Sequence, residues 1–150
     1  MEDLKKELNK LYKTTTLMVK KAPRGGKLFG ICNPHTSSQI IVYEKMGGRE
    51  YLEITWAHEW FHHYQYACFP KEYRKKDKSK AKYGPPLAGC ADLSAEEEEC
   101  EAFALLVFGK SKEYDLNCPT TRMWLVRMWF FLRDKYPGLM DLLEANRPPL

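Results

Sequence analysis

The sequence predicts an α+β domain in which a small antiparallel sheet, built around a β-hairpin, packs on a helix and is followed by an acid-rich helix and C-terminal helices. Three observations lead there. Segments rich in β-formers and turn residues precede residue 49, while Tyr51–Phe69 and Ala95–Phe108 run without Gly or Pro. A length of 150 residues fits one domain, 1–150, around a single core.

In chain order, Leu4, Leu8, Leu11 and Tyr12 form one stripe of an amphipathic helix over residues 2–13, with Lys5, Lys6, Asn9 and Lys10 elsewhere. Thr14–Lys21 reads as a first strand, and Pro23-Arg24-Gly25-Gly26 turns the chain into a second strand over Lys27–Asn33. The turn formers Asn33–Ser38 separate that strand from Gln39–Glu44, the strongest strand signal, and together they read as a hairpin. Gly47-Gly48 closes it, and Pro70 stops the helix that follows. Residues 70–94 form a long basic loop with seven Lys and Arg between Lys71 and Lys82, ending in Tyr83-Gly84-Pro85-Pro86. Ser94 is a good N-cap and Gly109 a good stop for the helix Ala95–Phe108. Thr121–Tyr136 is a helix rich enough in Trp, Met, Phe and Leu to be buried or paired with a partner, and Leu139–Asn146 is a last short helix.

The chemistry concentrates in His58-Glu59-Trp60-Phe61-His62. Histidines four residues apart on a helix lie about 40° apart around the axis and about one turn apart along it, so their rings converge on one metal ion. Glu59 sits at the edge of the same face, placed to take a proton from an activated water and not to bind metal. His63 points elsewhere, as a hydrogen-bonded or partly exposed histidine. The plainer alternative is two core histidines satisfied by hydrogen bonds. A catalytic zinc takes three protein ligands, so His58 and His62 need a third. His35 lies in the hairpin turn, and the acid-rich downstream helix, with Glu96, Glu97, Glu98, Glu99 and Glu101, favours a His-His-Glu set.

On these residues the chain resembles the ImmA/IrrE-like small gluzincin metallopeptidases, which carry a β-hairpin, an HExxH helix and a later helix reading roughly Glu-x-x-(Ala or Cys)-Asn-x-Phe-Ala. The matching stretch is Glu97–Ala104, and the resemblance spans roughly residues 27–108. It implies a minimal zincin-like domain with Zn2+ held by His58, His62 and Glu97, with Glu59 catalytic. The family's Asn is Glu101 here, at the offset where thermolysin-like gluzincins carry an Asp that orients a zinc histidine, which implies an orienting role. Ser94-Ala95-Glu96-Glu97 is also a capping box that would turn Glu97 back onto the Ser94 amide, leaving Glu98 or Glu101 as alternative third ligands.

The implied reaction is peptide hydrolysis on a specific intracellular protein, suiting a small enzyme of bacterial or phage origin, with Tyr66, Tyr83 and Tyr114 as candidate oxyanion donors. In zincins a strand beside the active helix receives the substrate as an extra strand, a role expected for Gln39–Glu44. A closed four-ligand regulatory or nucleic-acid-binding module using Cys90 or Cys100, with the Lys71–Lys82 loop as contact surface, is the rival reading, and assembly through the Thr121–Tyr136 helix a third. The balance of 24 Lys+Arg against 20 Asp+Glu is too mild to announce a nucleic-acid binder. Five cysteines without a Cys-x-x-Cys pair, behind a charged N-terminus, point to a reducing, cytoplasmic setting. No membrane span is expected, since Met123–Leu132 is short and interrupted by Arg127.

Overall fold

The computed structural model describes residues 2–19, 30–34, 37–43, 49–73, 94–108 and 118–146. The expectations placed on His35, Gly47-Gly48, Tyr83, Cys90, Gly109, Tyr114 and most of the basic loop lie outside them. The described elements, in chain order, are α1 (Glu2–Leu11), β1 (Thr15–Val19), β2 (Gly30–Cys32), β3 (Gln39–Tyr43), α2 (Arg49–Cys68), α3 (Ala95–Phe108), α4 (Pro119–Lys135) and α5 (Pro137–Asn146). The architecture is α+β.

Leu4 and Leu8 carry the buried stripe of α1, while Leu11 is 40% exposed because the helix ends there. The Asn9 carboxamide oxygen accepts from the Thr14 amide (3.1 Å) and hydroxyl (2.8 Å), turning the chain from α1 into β1.

The sheet is mixed, in the order β1-β3-β2, which corrects the antiparallel expectation. β2 and β3 form the expected antiparallel pair, but β1 runs parallel to β3. The physical reason is the apolarity of β3: Ile40 and Val42 are fully buried, so the central position, paired on both sides, falls to this strand. β1, exposed along most of its length, takes one edge. β3 therefore has no open edge for a further strand, and the role expected for Gln39–Glu44 fails. Among the described residues, the edge strand that lines the cleft beside the HExxH helix is β2.

α2 lies between two layers. It packs chiefly on α3 and also on β2 and β3. That is why residues all around it are buried: Trp56, Ala57, Trp60, Phe61, His63 and Gln65 are each at most 2% exposed. Trp60 and Phe61 stack on Phe103 of α3 at 5.6 and 4.6 Å between ring centroids, and Tyr136 meets Phe61 edge-on at 5.1 Å. α4 buries Trp124, Leu125, Met128 and Leu132 beside α3, and leaves Met123, Val126 and Phe130 exposed. The long aromatic helix is thus apolar on more than the face that the core covers. Among the described residues, no helix is long and apolar enough to cross a membrane.

The register of β2 on β3 brings the sheet onto the HExxH helix. Gly30 pairs with Val42 and Cys32 with Ile40, so both share the inward face of those two core residues. Gly30 is needed for this close approach, since a Cβ there would stand 2.6 Å from Thr55 Cγ2 and 2.9 Å from the Ile41 carbonyl oxygen. Gly30→Ala is expected to lower unfolding free energy by about 1–3 kcal/mol, read from chemical denaturation; a variant as stable as the parent would contradict the contact.

Candidate metal centre

His58 and His62 project from the face of α2 that meets α3, one helical turn apart, with ring centroids 5.0 Å apart. Opposite them is the first turn of α3. Ser94 begins that turn: its hydroxyl accepts from the Glu97 amide at 3.3 Å, half of the capping box. The other half does not form at the side chain, because the Glu97 carboxylate turns toward α2. Its Oε2 lies 2.8 Å from His58 Nε2 and its Oε1 3.2 Å from His62 Nε2.

The outer ring nitrogens are also engaged by acids. His58 Nδ1 lies 3.4 Å from Glu101 Oε2, and His62 Nδ1 lies 3.2 Å from Glu96 Oε1. Both imidazoles are therefore oriented with Nε2 inward and Nδ1 held by a carboxylate, the arrangement in which a metal-binding histidine has its tautomer and ring angle set from behind. Glu98 faces away from the histidines and accepts from Trp124 Nε1 at 3.4 Å. Glu101 approaches His58 from the rear.

These contacts shape the electrostatics. Burial disfavours protonated His58, but its hydrogen bonds to Glu101 and Glu97, with the charges of Glu59 and Glu97, hold its pKa well above the ordinary value. Burial likewise opposes charge on His62, and the bonds to Glu96 and Glu97 raise its pKa to about 9. For Glu97, burial pushes the pKa up, yet both imidazoles outweigh it and hold the carboxyl well below its usual range.

His58, His62 and Cys100 form a group whose ligand atoms lie within 4.8 Å of one another and could hold a metal ion. The Glu97 carboxylate also lies against both histidines. Ligand atoms bonded at about 2.0–2.1 Å in a tetrahedral site stand about 3.3 Å apart. The Glu97 oxygens come within 0.5 Å or so of that separation on both nitrogens. Cys100, by contrast, directs its thiol at Gln65 Oε1 at 3.3 Å, and burial pushes its pKa well up.

A cleft of about 560 Å³ opens on these groups. α2 and α3 contribute His58, Glu59, His62, Glu96 and Glu97, while Gly30, Ile31 and Cys32 of β2 form the facing wall. Cys32 and Glu59 both line this cleft, and burial together with the negative charge of Glu59 pushes the Cys32 thiol pKa up. Tyr73 closes one end of the cleft. Its hydroxyl is not free to reach a ligand, because it donates to Glu99 (2.8 Å) and lies 3.0 Å from the Tyr136 hydroxyl. Tyr66 does not line the cleft, and Tyr83 and Tyr114 lie outside the described residues.

His63, one residue past His62, faces the sheet. It is fully buried, its Nε2 bonds the Gln39 carbonyl oxygen at 3.2 Å, and its ring stacks on Tyr12 at 6.0 Å. Three cleft or supporting residues escaped the sequence reading. Gln65 carried a usable signal, standing three residues past His62 on one helix face. Cys32 and Tyr73 carried none, since only the fold brings their segments to the motif. Compared with family models, characterised proteins and solved structures, the chain finds no match.

The charge pattern predicts a pH profile for metal-free protein. The raised pKa of His62 contributes stability below its ordinary 6.5, and that contribution is lost as pH rises through about 9. The lowered pKa of Glu97 contributes above its ordinary 4.5 and is lost as pH falls. Chelator-treated protein is therefore expected to show its highest thermal midpoint between about pH 4.5 and 6.5 and a decline toward pH 9, measured by circular dichroism. A flat alkaline limb would contradict the His–Glu pairing.

Proposed function

We propose that this chain is a zinc-dependent metallopeptidase of the small gluzincin type, with a minimal zincin-like fold, in which His58, His62 and Glu97 hold Zn2+ and Glu59 is the general base. The observation that carries this reading is the Glu97 carboxylate spanning both inward Nε2 atoms at 2.8 and 3.2 Å. A carboxylate near ligand separation from both inward nitrogens, with each imidazole braced behind by another carboxylate, fits a three-ligand catalytic zinc.

Zinc held by His58, His62 and Glu97 would supply Lewis acidity toward the scissile carbonyl and a water nucleophile usable at neutral pH. Glu59, adjacent to His58 and on the cleft wall, takes the proton of that water and delivers it to the departing amine. Cys32, on the facing strand, lines the same cleft as Glu59 from the sheet side. Glu101 and Glu96 keep the imidazoles aimed inward. Among the described residues β2 is an edge strand and lines the cleft, so a substrate peptide in extended form pairs along it. The substrate is a protein segment able to unfold into that conformation.

A second reading, a metal-binding regulatory module without catalysis, draws support from the His58, His62 and Cys100 group. A sulfur ligand there would favour a closed site. The contact surface expected at Lys71–Lys82 lies largely outside the described residues.

Two experiments separate the readings. Purified wild type dialysed against a mild chelator is expected to retain about one zinc per chain, and Glu97→Ala to lose it; elemental analysis decides. Zinc retained in full by Glu97→Ala would move the third ligand to Cys100. Glu59→Gln is expected to keep the metal while its cleavage of a proteome-derived peptide library, followed by mass spectrometry, falls by about 10²–10⁴-fold. Equal cleavage by this variant and wild type would sink the assignment of Glu59.

A further inference from the structure

One turn beyond the histidines, a second polar cluster joins α2 to α3. The Gln65 side chain, fully buried, uses both ends of its amide. Nε2 donates to the Glu96 backbone oxygen at 3.1 Å and to Glu99 Oε1 at 3.3 Å, and Oε1 accepts from Cys100 Sγ at 3.3 Å. Three α3 residues flanking Glu97 are thus tied to one side chain standing three residues past His62.

This geometry does two things to the metal centre. Sliding α3 along α2 by one residue, a rise of about 1.5 Å, breaks all three bonds, so the relative height of Glu97 and the histidines is set without a metal. Metal ligands must meet their distances to within about 0.2 Å, a tolerance that ordinary apolar packing between two helices does not impose. Gln65 also holds the backbone of Glu96, whose carboxylate holds His62 Nδ1. The second effect concerns Cys100. Its sulfur is near enough to the histidines to compete for a metal, and its hydrogen is committed to Gln65 Oε1.

Resting on the metal centre proposed above, we infer that Gln65 is a positioning residue that selects Glu97 over Cys100 as the third metal ligand, by fixing the α2–α3 register and by holding the Cys100 thiol away from the metal. Glu99 anchors the same clamp from the other side. It is 3% exposed and accepts from Tyr73 and Tyr136, each at 2.8 Å, so it cannot follow Gln65 if that residue moves.

The test uses cobalt(II) in place of zinc, because a thiolate ligand to cobalt adds an intense near-ultraviolet charge-transfer band that oxygen and nitrogen ligands lack. Wild type titrated with Co2+ is expected to bind without that band. Gln65→Met, similar in volume and without hydrogen-bonding groups, is expected to bind Co2+ about tenfold or more weakly and to gain the band. The double variant Gln65→Met, Cys100→Ser is expected to lose it again. Should Gln65→Met fail to fold by circular dichroism, Gln65→Asn, too short to reach α3, gives the same readings. A thiolate band in wild type, or a Gln65 variant with unchanged affinity and spectrum, overturns the inference while leaving a metal centre in place. A wild type that takes up neither Co2+ nor Zn2+ overturns the metal centre and this inference together.

Discussion

A carboxylate drawn between two imidazoles is the contact on which the rest of the chain depends. Glu97 reaches both His58 and His62 only while α2 and α3 stay side by side at one fixed height, and bringing these charged groups out of water costs several kcal/mol per ion before their attraction is counted. The cost is offset locally, by partners for nearly every polar atom, and globally, by the aromatic packing beside it. Trp60, Phe61 and Phe103 form a stack that holds the helices together immediately behind the acids and imidazoles. Charge in front and rings behind are alternate positions of the same two helices.

The sheet serves this helix pair from the opposite side. β3 supplies Ile40 and Val42 to the core and a carbonyl at Gln39 to His63, so one imidazole of the run His62-His63 faces acids and the next faces the sheet. β2, an edge strand among the described residues, comes so close to α2 that a Cβ at position 30 would meet Thr55 Cγ2 at 2.6 Å. That approach makes a cleft with a strand on one wall and the histidines on the other. Cleft and core are therefore one construction, since any outward movement of β2 would widen the first and loosen the second.

At the far end, the C-terminal end of α4 joins the structure through another buried acid. Glu99 gathers the hydroxyls of Tyr73 and Tyr136, and Lys135 lies 3.4 Å away while packing over the rings of Phe69 and Tyr73. With the clamp at Gln65, this places successive acids of α3 in distinct tasks. Glu96, Glu97 and Glu101 face the histidines, Glu98 meets Trp124, and Glu99 meets the tyrosines. The run of glutamates is thus a set of partners for groups on α2 and α4, with Glu98, Glu99 and Glu101 buried.

Much of this was legible in one dimension. The start of the helix at Ala95 was legible, because a cap followed by a Gly- and Pro-free run is a local signal. The pairing of His58 with His62 followed from helix geometry alone. The strand order did not, because β1, β2 and β3 each satisfy a local strand pattern and only competition for the buried position decides which of them is central. A carboxylate folded back in a capping box and one turned toward the histidines were both compatible with the sequence, and the choice fell to tertiary structure: with imidazoles 2.8 and 3.2 Å away, the Glu97 carboxylate has stronger partners than a helix amide. Sequence by itself determined which residue types stand on which face of each helix, since period and punctuation are properties of the chain. Only the tertiary structure decided which faces meet, at what height and with which acid between them, since those depend on contacts between segments that no local pattern encodes.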